Sequence, residues 1–476
     1  MSQDLLAPPA TPYRWRWAAL ATLLTAEAMN LLDSTIVQVA APVIHAALGG
    51  PDSDIQWYGA AYTLPFALFL ITGGRLGDIV GRRRMFRAGV ALFVLASLAC
   101  ALAPSAAALI AARAVQGAAS ALVIPQTFGL IRRMFDGSEL SRALGTIGPV
   151  MGLAAVCGPA LGGLLTHADL FGSSWRSVFL VNVPLGIAVL VSAPLLLEDR
   201  AAHRPGLDLA GTGLAVLGTG LIVYPLIEGD TLGRPAWTWA ALVAGVVVLV
   251  LFAFHQRARA RRGRSVLVEP SLFAGRGFPA ALASSLLFFA VMNGVMLVVV
   301  LHLQLGLRAD VLTAGLTLLP WSCGMAVSSW IAGTRLVPRH GSRVMFAGLA
   351  LLLAGVLAAV VVYGAVASGS YPWPLLAALA VAGLGLGTFT VPFFTTALGR
   401  VRPHETGSAA GLLNAVQQLG GTVGVALLGS VFFRASAGAA AGEAARPALL
   451  VAAGLLAATA VTAAVMSAGP ERTARH

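Results

Sequence analysis

The chain has 476 residues, 58% of them hydrophobic and only 11% charged, with a net charge of +12 and a mean hydropathy of +0.85. Soluble globular domains carry about 25% charged residues, so this length does not signal a string of soluble domains. All 31 basic residues are arginine, which excludes a P-loop ATPase and any Schiff-base chemistry on a lysine amine.

Runs of about 20 apolar residues, long enough to cross a ~30 Å hydrocarbon core as helix, recur along the sequence. The first lies near Trp17–His45, behind Arg14 and Arg16. It is too long for the apolar region of a signal peptide and reads as a retained span. It holds Glu27 and Asp33, the only acids well inside a predicted span, with Asn30 between them. Six residues apart, the two carboxyls lie about 120° apart around a helix. A carboxyl at that depth must face a cavity or a partner. One whose surroundings alternately wet and dry can take up and release a proton.

Runs near Trp57–Gly77 and Met85–Ala103 flank Gly74-Arg75-Leu76-Gly77-Asp78-Ile79-Val80-Gly81-Arg82-Arg83-Arg84, which reads as a tight charged loop. The run near Ala106–Ile131 carries Arg113, the one arginine inside a span. A buried guanidinium needs a counter-charge, and Glu27 and Asp33 are the acids available at that depth. The run near Leu140–Leu165 is built of small residues, with Gly148, Pro149, Gly152, Gly158, Pro159, Gly162 and Gly163, a helix able to pack closely and bend.

A sixth run lies near Val178–Leu197, followed by Leu207–Ile227 and Trp237–Phe254. The segment Arg257–Arg264 then packs five arginines into eight residues. It reads as a topology anchor on anionic lipid heads, with a specific lipid or nucleic-acid site as the other reading. Six further runs lie near Phe278–Leu303, Val311–Leu336, Val344–Val366, Pro374–Leu398, Ser408–Phe433 and Ala448–Met466, making fourteen in all. With the N-terminus in the cytoplasm, inward segments hold 25 arginines and outward segments five, which places both termini inside. Cys100, Cys157 and Cys323 lie far apart in apolar runs and read as small buried hydrophobes, with no metal site or disulfide.

Several of these segments resemble the major facilitator superfamily. Gly74, Leu76, Asp78, Gly81, Arg82 and Arg83 fall on its signature between spans two and three. Leu32-Asp33-Ser34-Thr35-Ile36-Val37-Gln38-Val39-Ala40-Ala41-Pro42 resembles the first-span signature of its fourteen-span drug:proton antiporters, departing at Gln38 and Ala41. Arg113 to Gly117 with Pro125, and Gly158-Pro159-Ala160-Leu161-Gly162-Gly163, resemble the fourth- and fifth-span motifs, the latter with Ala154 where glycine is usual. A fainter second copy of the charged loop spans Gly333–Arg343, with Val337 in place of Asp78.

The resemblance implies an all-α polytopic membrane protein with two six-helix halves, residues 1–200 and 266–476, around a two-helix insert with its basic loop, residues 201–265. It implies a proton-coupled exporter of amphipathic drugs or related small molecules, with a lipid or metabolite transporter as the alternative. The protein would not be an enzyme and would use no cofactor, taking its energy from the proton gradient. Its expected partners are a small amphipathic substrate, protons and the bilayer, with no nucleic acid, and it would act as a monomer in a bacterial inner membrane. Asp33, Arg113 and Glu27 inherit proton coupling; for Glu27, contact with a cationic substrate and solvation at the cytoplasmic mouth stay open. Gly74, Asp78, Gly81, Arg82 and Arg83 form a cytoplasmic gate in which Asp78 meets the start of span thirteen near Gly407 and Ser408. The Gly158, Pro159, Gly162 and Gly163 element marks exporters. A substrate cavity would draw on Asn30, Gln116, Phe289, Asn293, Asn414 and Gln417. Asn414, Gln417 and Gln418 share a helix face and could equally bond a neighbouring helix.

Overall fold

A computed structural model describes residues 13–169, 172–198, 206–229, 232–233, 235–365, 370–399, 401–402, 405–436 and 441–468. Among the described residues there is no strand, and 14 helices are long and apolar enough to cross a membrane. Helix is the form that satisfies every backbone group within one apolar segment. In chain order spans 1 to 6 are Arg16–Leu48, Ser53–Val80, Arg82–Ala101, Ala106–Met134, Val150–His167 and Ser174–Leu195. Spans 7 and 8 are Leu209–Glu228 and Ala236–Arg261. Spans 9 to 14 are Gly277–Gly306, Val311–His340, Arg343–Ala365, Pro374–Gly399, Ser408–Ser436 and Ala444–Ala468.

The same pairing pattern occurs twice. In the first six spans, span 1 packs on 5 and 6, span 4 on 2 and 3, and span 3 on 6. In the last six, span 9 packs on 13 and 14, span 12 on 10 and 11, and span 11 on 14. The two sets meet where span 2 packs on 13 and span 5 on 10. Close approach at the second contact depends on glycine: a Cβ on Gly163 would lie 2.8 Å from the Val311 carbonyl oxygen.

Two sequence expectations are corrected. The charged segment after span 2 is not a loop, because helix continues through Asp78 to Val80 and a new one starts at Arg82. The whole reversal falls on Gly81, whose φ of 115° is open to glycine but costly for other residues. The fifth run also starts later than Leu140. A separate short helix, Gly137–Gly145, precedes Ile147–His167, and its Glu139 pairs with Arg16 of span 1 at 2.9 Å.

Spans 7 and 8 pack on each other, and span 7 lies along spans 2 and 13. At one end Glu228 accepts from Trp57 Nε1 at 2.6 Å and from Ser53 Oγ at 3.3 Å. At the other, Thr72 and Thr212 share a hydroxyl bond of 3.1 Å, and Arg75 donates to the carbonyls of Gly206 and Val266. Arg75 thus holds the chain just before span 7 and just after span 8. Within this clasp Asp208 caps span 7 by accepting from Gly211 N at 2.9 Å. Gln256 Nε2 donates to it at 2.8 Å, and His255 Nε2 lies 3.0 Å away. Arg259 is anchored here too, 3.5 Å from Asp208 and bonded to the Ser265 carbonyl. The arginine run is therefore more than a lipid-facing anchor at this one position, whereas Arg257, Arg261, Arg262 and Arg264 are exposed.

Burial alone would push the Asp208 carboxyl up, but the bonds from His255, Gly211 and Gln256 outweigh it and hold it below the usual carboxylate range. A depressed folded value gives stability that is present above the unfolded value of about 4 and is lost as pH falls through the folded one. Asp208→Asn should therefore lower the stability of detergent-solubilised protein by about 1–3 kcal/mol at neutral pH. The gap from wild type should narrow below about pH 4, as read by thermal melts across pH.

Candidate functional site

Span 1 rises from its arginine-flanked end and carries Asp33 into the middle of the first six-span set, where the side chain is fully buried. Three side chains from two other spans converge on its carboxylate. Arg113 Nη1 of span 4 donates to Oδ2 at 2.5 Å. Gln116 Nε2, one turn along span 4, donates to Oδ1 at 2.9 Å. Asn182 Nδ2 of span 6 donates to the same oxygen at 2.7 Å.

The cluster extends outward from these bonds. Arg113 Nη1 also donates to Gln116 Oε1 at 2.7 Å, and its Nε donates to the Tyr58 carbonyl at 3.0 Å. Gln116 Nε2 donates to Ser97 Oγ at 2.8 Å, and Cys100 Sγ lies 3.7 Å from its Oε1. The Arg113 guanidinium stacks 4.3 Å from the centre of the Tyr62 ring, whose hydroxyl shares a 2.9 Å bond with Ser120. Asp33, Arg113, Gln116, Ser97, Asn182 and Cys100 all have zero exposure. A charge pair this dry is tolerated because nearly all its donors and acceptors are matched; an unmatched charge at that depth would cost several kcal/mol.

The sequence brought Asp33 and Arg113 together as charge and counter-charge, and the structure joins them. Glu27 stays apart: it is half-buried, with Oε1 buried and lacking a hydrogen-bond partner among the described residues. Gln116, expected in a substrate cavity, is bonded within the Asp33 cluster, because one helical turn sets it beside Arg113. Phe289 packs 5.3 Å from Phe288 and 6.4 Å from Phe394. Asn30 is nearly buried beside Tyr62. Asn293 accepts from Gln38 Nε2 at 3.0 Å, a hydrogen bond between the two six-span sets. Asn414 and Gln417 are half-buried on span 13.

Asn182, Ser97 and Tyr62 escaped the sequence reading, since each is a lone polar residue in an apolar run with no motif around it. Their only trace in the sequence is that each is a polar side chain within an apolar run. Cysteine placement needs correction too. Cys100 is buried in the cluster, but Cys157 is half-buried and Cys323 on span 10 is exposed, because both lie on helix faces that neighbouring spans do not fully cover.

At the arginine-rich end, Asp78 Oδ1 accepts from Arg82 Nη2 at 2.8 Å and Nε at 3.1 Å. Arg82 lies over Gly129 of span 4, where any Cβ would strike its guanidinium. Gly74 packs against Pro125, and Arg83 is half-buried. The surroundings of Gly407, half of the expected latch at the start of span 13, lie outside the described residues. In span 5, Gly158 faces Thr35 and Gly162 faces the Ile36 backbone of span 1. The Pro159 carbonyl lies against Gly315 of span 10. This small-residue element therefore touches both the span carrying Asp33 and the opposite six-span set.

The sequence profile described as Major Facilitator Superfamily matches residues 23–425. The chain belongs to the major facilitator superfamily. Among similar proteins, the "Probable actinorhodin transporter" of Streptomyces coelicolor is 47% identical over 427 residues, covering 90% of this chain and 74% of that protein. The "Puromycin resistance protein pur8" of Streptomyces alboniger is 36% identical, covering 89% and 83%. The "Multidrug resistance protein Stp" of Mycobacterium tuberculosis is 34% identical, covering 85% and 73%. The fold is shared with solved structures of low identity. One is a POT family transporter in complex with a thioalcohol conjugated peptide, with a TM-score of 0.69, 13% identity, and coverage of 96% and 99%. Another is a bacterial homologue of the lysosomal transporter Spinster, with a TM-score of 0.63, 16% identity, and coverage of 95% and 97%. This facilitator is thus a multi-pass membrane transporter with antibiotic and multidrug efflux proteins among its relatives.

Because the Asp33–Arg113 pair is fully buried, Arg113→Ala should strand a carboxylate and cost about 3–5 kcal/mol. Adding Asp33→Asn to that variant should recover part of the loss. Thermal melts of the two single variants and the double variant measure the coupling, and strictly additive losses would contradict it.

Proposed function

We propose that this facilitator exports amphipathic organic molecules, antibiotics among them, in exchange for protons. The observation that carries the reading is the dry carboxylate of Asp33, held by Arg113 in the midst of the first six spans, on a helix whose next residues, Thr35 and Ile36, meet the small-residue span 5. A carboxylate that is ion-paired and sealed in one state, then opened to water in another, is a device for moving one proton per cycle. A proton arriving at Asp33 neutralises the carboxylate and loosens its hold on Arg113. The resulting rearrangement reaches the opposite half through the Gly158–Gly163 element and the span 5–span 10 contact. Rocking of the two halves about these contacts then gives alternating access. Names of the relatives support drug-like cargo: an actinorhodin transporter, a puromycin resistance protein and a multidrug resistance protein.

The energy source in this reading is the proton gradient, with no bound cofactor. Both termini lie on the cytoplasmic side of a bacterial inner membrane in this reading, which the arginine bias supports. Glu27, lining the same span nearer the arginine-rich end, is a second station for a proton or a contact for a cationic group of the cargo. Asp78 and Arg82 belong to the cytoplasmic gate.

Proteoliposomes with an imposed pH gradient and a substrate panel test the proposal, scoring proton and substrate movement together. Asp33→Asn should remove gradient-driven transport at least 100-fold while leaving folded protein in the membrane. Wild-type driven rates in that variant would sink the coupling assignment. Transport of a lipid or metabolite, with no drug moved by any gradient, would redirect the substrate class.

A further inference from the structure

Protonation of Asp33, the step on which the proposal above rests, creates a hydrogen-bond problem that its surroundings must solve. In the ionised state every group facing the carboxylate is a donor: Arg113 Nη1, Gln116 Nε2 and Asn182 Nδ2. A protonated carboxyl brings a new O–H, and a buried hydroxyl without an acceptor is costly. The source of that acceptor can be found by counting commitments. Arg113 has no acceptor at all. Gln116 Oε1 already takes Arg113 Nη1 at 2.7 Å and faces Cys100 Sγ at 3.7 Å, while its Nε2 bridges Asp33 and Ser97. Turning that amide over would set its nitrogen against the guanidinium, so Gln116 is locked.

Asn182 differs. Its Nδ2 donates to Asp33 Oδ1, but its own Oδ1 is buried with no hydrogen-bond partner among the described residues. Nothing polar holds the amide in this orientation except the carboxylate itself. A half-turn about the Cβ–Cγ bond exchanges the amide nitrogen and oxygen, placing an acceptor 2.7 Å from Asp33 where a donor stood. The residue lies within span 6, where Val181 before it keeps helical backbone angles. The helix holds its backbone, and the amide can turn about the Cβ–Cγ bond.

We infer that Asn182 is the positioning residue that reads the charge of Asp33, donating to the carboxylate and turning over to accept from the carboxylic acid. The step adds one proton from water to a carboxylate oxygen, forming one O–H and breaking no covalent bond in the protein. The Asp33–Arg113 pair passes from net zero to net +1. The ionisable groups around it are Arg113 of span 4, Tyr58 and Tyr62 of span 2 and Cys100 of span 3, with Glu27 six residues back on span 1. Of the three side chains that bond Asp33, Asn182 alone is built to satisfy both of its states.

The experiment is pH-difference infrared spectroscopy of the full chain in lipid, with the band of protonated Asp33 identified by its loss in Asp33→Asn. In Asn182→Leu the acid's C=O and O–D stretches should shift to higher frequency, since its hydroxyl has lost its acceptor. Gradient-driven transport should fall about tenfold, while substrate counterflow at equal pH stays within about twofold of wild type. An unmoved band, with both transport modes reduced equally or neither reduced, would show that Asn182 only fills space, and the inference would fall. Should Asn182→Leu not fold, Asn182→Thr carries the test. A hydroxyl that both donates and accepts should keep the wild-type band, and a band shifted upward there would overturn the inference. If Asp33→Asn itself keeps wild-type coupling, the proton-exchange reading fails instead, and that outcome is independent of any Asn182 result.

Discussion

A charge pair that water cannot reach organises the first half of this protein. Asp33 and Arg113 sit where neither could stand alone, and the penalty for separating them falls on every helix that supplies a bond. Span 1 contributes the acid, span 4 the base and Gln116, span 6 Asn182, span 3 Ser97 and Cys100, and span 2 a backbone carbonyl and the Tyr62 ring. Five of the first six spans are thus registered against a single carboxylate. A change in its charge would act on all of them together.

The second six spans repeat the pairing pattern without the charge. Their centre is aromatic: Phe288 stacks 4.0 Å from Phe389, which stacks 5.2 Å from Phe393. Two stretches of π-helix, His302–Gly306 and Ala332–Leu336, widen the helical turn in spans 9 and 10, and Val337 follows directly where the first half has Asp78. Duplicated architecture has been kept and chemistry assigned to one copy. The polar contacts between copies include neutral ones, Gln38 with Asn293 and Thr63 with Thr422 at 2.6 Å, beside the pair of His167 and Asp310 at 3.5 Å. Neutral bonds of this kind can be exchanged for others without stranding a charge.

The number and position of the spans were legible in the sequence because hydrocarbon thickness dictates the length of each apolar run. Asp33 and Arg113 were legible for a related reason: ionised groups inside such runs are expensive enough to demand a partner. What the pattern hid was whatever depends on the direction in which a side chain points. Gln116 is polar and mid-span, equally suited to a cavity or a cluster, and its place was decided by one turn of helix relative to Arg113. Asn182 carries no charge, so unlike Asp33 and Arg113 it demands no counter-charge that a sequence could point to. The charged segment after span 2 read as a loop because glycine and arginine are common in loops. In the structure only Gly81 departs from helix.

Span 7 also decides what the surrounding lipid can touch. The two six-span sets meet along two lateral seams, and these are closed by different means. Along spans 2 and 13 the seam is roofed by span 7, which is fastened to span 2 at both ends and meets span 13 through the bond from Ser430 to the Leu226 carbonyl at 2.8 Å. Along spans 5 and 10 no span roofs the seam among the described residues, and backbone is drawn against backbone at Gly163 and Gly315. A hydrophobic molecule dissolved in the bilayer therefore meets a shuttered flank on one side of the protein and a seam closed only by its own fit on the other. At Gly163 and Gly315 two glycines set how closely that second flank shuts.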